Sequence, residues 1–334
     1  QQEGRNGQRA QDHELVPPQQ GLVLQQTESL DVEDRFDENA PGHEQPHQLP
    51  EGRGNRDERV AEGVPEHRSP ETHALGHRGA HVVRVELLEQ AGWPLSTNLD
   101  PEVGGLVTAT LRDAGVTVSC GQTVQGLSVE GERVRVACRG HEVVADVAVV
   151  AVGVEPLVDL ARDAGIRLGV TGAIQVDERL ATSAPHVWAA GDCVEHPHAV
   201  AHAAAYLPFG SLGNQQGRTL ANILAGREDP VPPVAGAMVV KVFESTVAAA
   251  GTTREQAERA GMEPRSVWLA AHDCAHYWPD VQDLFLHLLY SHSDRRLLGV
   301  QAVGGDGVVR RVDVATQLLA RAGTIDELAH LEHC

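Results

Sequence analysis

The sequence has few aromatic residues, few sulfur-containing residues and no long apolar run. Aromatic side chains make up 3% of its 334 residues, and there are two methionines and five cysteines. The cysteines are odd in number and widely separated, which excludes a disulfide framework and a CxxC zinc pattern. No stretch approaches the roughly 20 apolar residues of a membrane span, and no segment has the basic-then-apolar order of a signal peptide. We therefore expect a protein of the reducing cytoplasm.

Basic residues are also in the minority. The chain has 27 lysines and arginines against 47 acidic residues, which gives a formal net charge of -20. A charge of this sign and size repels the phosphate backbone of nucleic acids and the anionic surface of membranes. We expect neither as a partner.

The composition changes near residue 79. Before it the chain is rich in Gln, His, Glu, Arg and Pro, and Phe36 is its only aromatic residue. Apart from GLVLQQ, this part has no apolar periodicity, so we expect residues 1–78 to be disordered. From Ala80 onward, strand and helix patterns alternate as in an α/β protein.

Several helix and strand signals occur in the second part. HVVRVE (81–86) predicts a buried strand that ends in an acid. Asp100 as N-cap, Pro101 at the first helical position and Gly115 as the stop predict a helix. The apolar run VWAA (187–190) predicts a buried strand, and it ends at Gly191-Asp192. An isolated Gly-Asp pair is typical of an ordinary turn after a strand, so its meaning depends on the surrounding motifs.

Three segments resemble a known family in order and spacing. They are ADVAVVAVGVEP, GAIQVDERLATSAPHVWAAGDC and YLPFGSLGNQQGRTLANILAG. Together they are similar to the flavoprotein pyridine nucleotide-disulfide oxidoreductases, in the branch of coenzyme A-disulfide reductase, NADH oxidase and NADH peroxidase. Three later segments, VVKVFESTVAAAGTTREQA, AHYWPD and LLGVQAVGGDGVVRRVDV, resemble the dimerisation domain of that family. The resemblance covers roughly residues 79–330.

The resemblance implies a fold class and a domain order. The fold is expected to be α/β, with partial Rossmann-like FAD/NAD(P)-binding domains followed by an α+β dimerisation domain. The expected divisions are an unrecognisable segment, disordered or out of frame (1–78), a partial NAD-binding domain (79–144), the C-terminal half of an FAD-binding domain (145–227) and a dimerisation domain (236–334).

The resemblance also assigns the FAD-binding residues. Asp192 is expected to accept a hydrogen bond from a ribityl hydroxyl of FAD, and Gly191 lets the backbone approach the cofactor. A ligand rich in hydroxyl groups is a physical reason for a carboxylate at this position. Pro208, Phe209 and Gly210 resemble the segment that faces the flavin pyrimidine. The helix after them would direct its positive end toward the flavin edge that becomes negative on reduction.

NADH is the second cofactor that the resemblance implies. Glu86, at the end of its predicted strand, is suited to bind the adenosine ribose hydroxyls and to repel a 2′-phosphate. The alternative is that Glu86 is an ordinary exposed glutamate. Gly153 resembles the glycine that approaches the nicotinamide half, although Glu155 stands where the family commonly has Arg.

Two parts of the family pattern are missing. The three positions of the dinucleotide-binding glycines fall on Gly63, Pro65 and Arg68, and there is no redox cysteine before Cys120. We expect residues 1–78 to result from a frame shift or a mispredicted start. The C-terminus, LEHC, also stops short of the aromatic- and proline-containing segment of the family. The chain is thus expected to be truncated, to bind FAD and NADH weakly or not at all, and to contain no identifiable catalytic residue.

Two functions follow from these observations. The first is an FAD-dependent NAD(P)H oxidoreductase of the disulfide reductase type, a homodimer that passes electrons to a small-molecule disulfide, oxygen or peroxide. The second is a non-enzymatic product that acts at most as a dimerisation module. Zinc binding is a third alternative, but the spacing is wrong for a tetrahedral site, so no metal is expected. The two candidate clusters are Cys193, His196, His198 and His202, and His272, Cys274 and His276.

Overall fold

The computed structural model describes residues 22–27 and 83–332. The chain divides into two compact units, and nearly all of the described residues belong to the unit formed by Gln1–Gln26 with Arg84–Cys334. Of the segment predicted to be disordered or out of frame, only 22–27 lies within the described residues, and it forms a strand. Between residues 83 and 332, no helix is long and apolar enough to cross a bilayer.

The first sheet has four strands. Strand β2 pairs in parallel with β3, while β1 pairs antiparallel with β7, in the order β3-β2-β1-β7. Helix α1 connects β2 to β3, as in a βαβ unit. These elements are β1 (Leu22–Thr27), β2 (Val83–Glu89), α1 (Pro101–Asp113), β3 (Thr117–Cys120) and β7 (Val147–Val150).

The start of α1 confirms the predicted helix signals, but one of them acts differently. Asp100 occupies the N-cap position and Pro101 the first turn, and Gly115 follows with a φ of +88°. The Asp100 side chain does not cap the helix. Its carboxylate instead accepts hydrogen bonds from the Gln301 side chain (2.9 Å) and the Arg254 backbone (2.8 Å). The beginning of α1 is therefore joined to the C-terminal part of the chain.

A three-stranded antiparallel meander lies between β3 and β7. Its strands, in the order β4-β5-β6, are β4 (Val124–Glu130), β5 (Arg133–Cys138) and β6 (His141–Ala145). Alternate residues of β5 and β6 are buried and pack with Leu88 of β2 in one apolar cluster. The meander thus covers part of the first sheet.

The middle of the chain has little regular structure. It contains α2 (Asp159–Asp163), β8 (His196–Pro197), β9 (Ala204–Ala205) and the longer α3 (Gly210–Leu224). The predicted buried strand at VWAA (187–190) is wrong. Val187 and Trp188 are 39% and 36% exposed, and only an isolated bridge joins Trp188 to Ala181. Backbone hydrogen bonds join the run to residues 180–184, and of its residues Ala189 packs on a described apolar cluster while Val187 and Trp188 stay exposed.

The C-terminal part is a five-stranded antiparallel sheet with three helices. The strands follow the order β10-β11-β14-β13-β12. Apolar residues of β13, β14 and α5 form the largest core cluster of the described residues, and α1 packs on the same sheet through a second cluster. The elements are β10 (Met238–Val242), β11 (Ser245–Gly251), α4 (Arg254–Arg259), β12 (Pro264–His272), β13 (Asp283–Ser291), β14 (Leu297–Gly304), α5 (Gly307–Ala320) and α6 (Ile325–Ala329).

Candidate functional site

The turn at Gly191 and Asp192 has the features expected of a ligand-facing turn. Gly191 has a φ of +82°, a left-handed conformation that favours glycine. Asp192 is exposed, and no hydrogen bond or ion pair joins it to another described residue. Its charge still acts on two neighbours, because it favours protonation of both His196 and Tyr206. The carboxylate is therefore accessible and not neutralised within the described part of the chain.

The N-terminus of α3 lies against this turn. Phe209 is the N-cap residue of the 15-residue helix, and no side chain caps it. A Cβ added at Gly213 would lie 3.6 Å from the Cα of Gly191, so the first turn of α3 and the Gly191 backbone are close neighbours. Pro208 and Phe209 are partly buried and Gly210 is exposed. The structure thus brings Gly191 next to the helix that begins at Gly210.

Gln216 and His196 support the turn from inside, and sequence reasoning missed both roles. Gln216 is 2% exposed and His196 is 3% exposed. The Gly191 N–H donates to Gln216 Oε1 over 2.6 Å, and Gln216 Nε2 lies 3.0 Å from His196 Nδ1. Burial lowers the pKa of His196, and the charge of Asp192 opposes that shift. The available signal was spacing: Gln216 stands seven residues before the buried Ile223, on the same helix face.

Glu86 does not end its strand. Strand β2 continues for three residues beyond it, to Glu89. The Glu86 carboxylate accepts a hydrogen bond from Ser119 Oγ (2.8 Å) and lies 3.3 Å from His141 Nε2. Glu89 is the acid at the actual strand end, is 2% exposed and accepts the Ala91 N–H over 2.8 Å. Two acids in the run VELLE were the signal for this alternative.

Gly153 is the remaining described residue of the predicted site. Gly153 has a φ of +103° in the irregular segment after β7, consistent with a conformational need for glycine. No hydrogen bond or ion pair between described residues links Gly153 or Glu86 to the Gly191 turn. The positions Gly63, Pro65 and Arg68 lie outside the described residues.

The histidines and cysteines of the two candidate zinc clusters have other environments. In the described part, no three potential ligands converge on a metal site. His198 Nδ1 accepts the N–H groups of Val200 (3.2 Å) and Ala201 (3.1 Å), and burial lowers its pKa to about 4.

Two cysteines outside these clusters are also affected by burial, which raises the pKa of the Cys120 and Cys138 thiols. Such thiols are poor nucleophiles, because the thiolate is the reactive form.

The architecture defines a class of protein: a Rossmann-type α/β part followed by an α+β part with an antiparallel sheet, as the sequence predicted. Two family models match the chain. Residues 72–206 match the model "Pyridine nucleotide-disulphide oxidoreductase". Residues 238–334 match "Pyridine nucleotide-disulphide oxidoreductase, dimerisation domain". The chain belongs to the pyridine nucleotide-disulphide oxidoreductase family, which confirms the resemblance seen in the sequence.

Individual relatives agree with this assignment. The CoA-dependent NAD(P)H sulfur oxidoreductase of Pyrococcus furiosus is 31% identical over 253 residues, which are 75% of this chain and 56% of that protein. An NAD-dependent persulfide reductase from A. fulgidus has a similar structure, with a TM-score of 0.72, 35% identity, and coverage of 75% of this chain and 46% of the other. The reduced CoADR-RHD of Bacillus anthracis gives a TM-score of 0.69, 30% identity, and coverage of 75% and 44%.

Matching relatives include proteins named coenzyme A disulfide reductase and NADH oxidase, the branch that the sequence indicated. The chain spans about half the length of the curated relatives that it matches.

Proposed function

We propose that this chain is an FAD-dependent NAD(P)H oxidoreductase of the disulfide reductase type. The observation that carries the proposal is the Gly191–Asp192 turn, which lies against the first turn of α3 and whose exposed carboxylate has no hydrogen bond or ion pair to a described residue. Family membership and the names of the relatives support the same activity. Bound FAD would supply the chemistry, by accepting a hydride from the nicotinamide and passing its electrons to the acceptor.

The residues present fit one end of FAD. The exposed Asp192 carboxylate is suited to accept a ribityl hydroxyl. The first N–H groups of a helix have no partner within the helix, so the uncapped start of α3, after Pro208 and Phe209, is suited to face a developing negative charge. The pyrophosphate end has less support. The positions of the family's glycine loop carry Gly63, Pro65 and Arg68, so we propose weak binding.

NADH is proposed as the electron donor, with Glu86 and Gly153 as its contacts. Glu86 lies on β2, beside β3, in a sheet that contains a parallel βαβ unit. Its bonds with Ser119 and His141 leave the second carboxylate oxygen, Oε2, without a hydrogen bond to a described residue. That oxygen is suited to a ribose hydroxyl, and its charge disfavours a 2′-phosphate.

The acceptors that we propose are a small-molecule disulfide, oxygen or peroxide. The relatives' names include sulfur, persulfide and coenzyme A disulfide as substrates. Because burial raises the pKa of Cys120 and Cys138, neither thiol is proposed as a redox nucleophile. The described cysteines are free thiols, as expected of a protein of the reducing cytoplasm, where we propose that it acts. The net negative charge argues against nucleic acid and membrane surfaces as partners.

The proposal is tested by titrating FAD with the full 334-residue chain and following the quenching of flavin fluorescence. We expect measurable binding, weakened about tenfold or more in Asp192→Ala, because a charge-assisted hydrogen bond contributes about 1.5–3 kcal/mol. Asp163→Ala, which removes an exposed carboxylate at the end of α2, is the matched control. Unchanged fluorescence with the wild-type chain, or equal affinities of the two variants, would show the proposal to be wrong. NADH consumption with each acceptor then identifies the electron acceptor.

A second function is favoured by the C-terminal domain. Residues 238–334 match the dimerisation domain and contain most of the largest described core cluster. Several of their large apolar side chains are exposed: Val267, Trp268, Leu269, Tyr277 and Trp278. Exposed aromatic clusters are typical of protein interfaces. We therefore propose a homodimer through this domain, and sedimentation velocity tests it. A dimer without FAD binding would identify the chain as a dimerisation module only.

A further inference from the structure

Gln216 is a buried amide with both polar ends engaged. It lies on α3 and is 2% exposed. Its Oε1 accepts the Gly191 N–H over 2.6 Å, and its Nε2 lies 3.0 Å from Nδ1 of the buried His196. One side chain therefore joins the helix, the Gly191 turn and strand β8.

The chemistry of these partners fixes the orientation of the amide. A backbone N–H needs an acceptor, so the amide oxygen faces Gly191 and the NH₂ group is left to face His196. Nδ1 accepts a hydrogen bond only in the neutral imidazole, and burial lowers the pKa of His196. Four acids are close to this ring: Asp192 acts on its charge, and Asp177, Glu178 and Glu195 line the same small cavity as His196 and Gln216.

A second contact on the same helix face supports this arrangement. Gly213 precedes Gln216 by one helical turn, and a Cβ at Gly213 would be 3.6 Å from the Gly191 Cα. Helix α3 thus passes close to Gly191 at Gly213 and bonds it at Gln216, which restrains a backbone position that is intrinsically flexible because it is glycine. Asp192 follows directly in the chain, so the direction of its carboxylate depends on the Gly191 peptide.

We propose that Gln216 is a positioning residue that holds the Gly191–Asp192 turn and thereby presents the Asp192 carboxylate to FAD. The structural part concerns the chain alone, and the flavin part rests on the proposed function. The side chain of Gln216 contacts the backbone of the turn. Gln216 therefore acts through Asp192 and is not a catalytic residue.

The first test compares Gln216→Met with Gln215→Met in the full chain. Gln215 is the exposed neighbour on the same helix, and its side chain makes no hydrogen bond to another described residue. We expect Gln216→Met to speed amide hydrogen exchange at Gly191 about tenfold and to weaken FAD binding about tenfold, the effect of one lost buried hydrogen bond. Gln215→Met should change neither. Wild-type exchange at Gly191 in Gln216→Met would overturn the inference.

The second test uses Gln216→Glu, which keeps an acceptor for the Gly191 N–H. Its other carboxylate oxygen would face His196 Nδ1 and favour the protonated ring, so NMR should show a raised His196 pKa with Gly191 exchange still slow. Rapid exchange at Gly191 in Gln216→Glu would contradict the inference, even if Gln216→Met fails to fold. If Gly191 exchange changes as expected and FAD affinity does not, the positioning of Asp192 is wrong while the proposed function stands. If the wild-type chain binds no FAD, the proposed function fails, and Gly191 exchange alone decides the role of Gln216.

Discussion

Acidification is expected to destabilise the fold through His198. This side chain is 8% exposed, its Nδ1 accepts two backbone N–H groups, and its pKa is lowered from 6.5 to about 4. Burial is the main cause, the charge of His202 adds to it, and a hydrogen bond to the Gly251 backbone opposes it. Between these two pKa values the unfolded chain binds more protons than the folded chain. Stability is therefore complete above pH 6.5 and is lost as the pH falls toward 4.

The magnitude follows from the two pKa values. Between pH 7.5 and pH 5.0, preferential protonation of the unfolded state at His198 removes about 2 kcal/mol of stability. Urea unfolding of the wild-type chain at both pH values measures the total loss. His196 and His287, whose pKa values are also lowered by burial, contribute in the same direction.

A variant isolates the contribution of His198. His198→Asn keeps a short acceptor for the N–H groups of Val200 and Ala201 but does not titrate, so its stability should fall by about 2 kcal/mol less over the same pH interval. His202→Asn is the matched control, because His202 is exposed and asparagine tolerates its φ of +52°. The His202→Asn variant should retain most of the loss of stability that the wild-type chain shows between pH 7.5 and pH 5.0. Equal pH dependence in the wild type and His198→Asn would refute the reasoning.

Three further predictions concern other parts of the molecule. Gly191→Ala should cost about 1–2 kcal/mol in urea unfolding, because nothing lies within 4 Å of the new Cβ and only the positive φ is penalised. Gly251→Ala should cost more, since its Cβ would lie 2.3 Å from the Leu298 carbonyl oxygen, and similar losses would contradict this argument. Asp100→Ala should cost about 2–4 kcal/mol by leaving buried donors unpaired, whereas Asp100→Asn should lose less. Trp278→Asp should shift sedimentation toward the monomer, and an unchanged dimer would place the interface elsewhere.

The sequence predicted those elements whose signals are local. Helix α1 follows from Asp100 and Pro101, and the local Thr253–Gln256 capping box marks the start of α4. The strand at VWAA was wrong because an apolar run indicates burial only when other strands cover it. Val187 and Trp188 have no such cover among the described residues.

The site could be predicted from the sequence only in part, for a similar reason. Gly191 and Asp192 are adjacent in sequence, so a motif reveals them. Gln216 is separated from Gly191 by 25 residues, and their hydrogen bond exists only after α3 packs against the turn. The end of β2 was misplaced because Leu87 and Leu88 continue the apolar run past Glu86. Glu89 can then be buried at the strand end because its carboxylate accepts a local hydrogen bond from the Ala91 N–H.

The contacts of Asp100 have a mechanical consequence. Its backbone N–H donates to Gln301, and its two carboxylate oxygens accept hydrogen bonds from Arg254 and Gln301, which lie 154 and 201 residues later in the chain. Moving the leading end of α1 away from the C-terminal sheet would break these three hydrogen bonds. A change at the start of the βαβ helix is therefore expected to act on the C-terminal sheet through them.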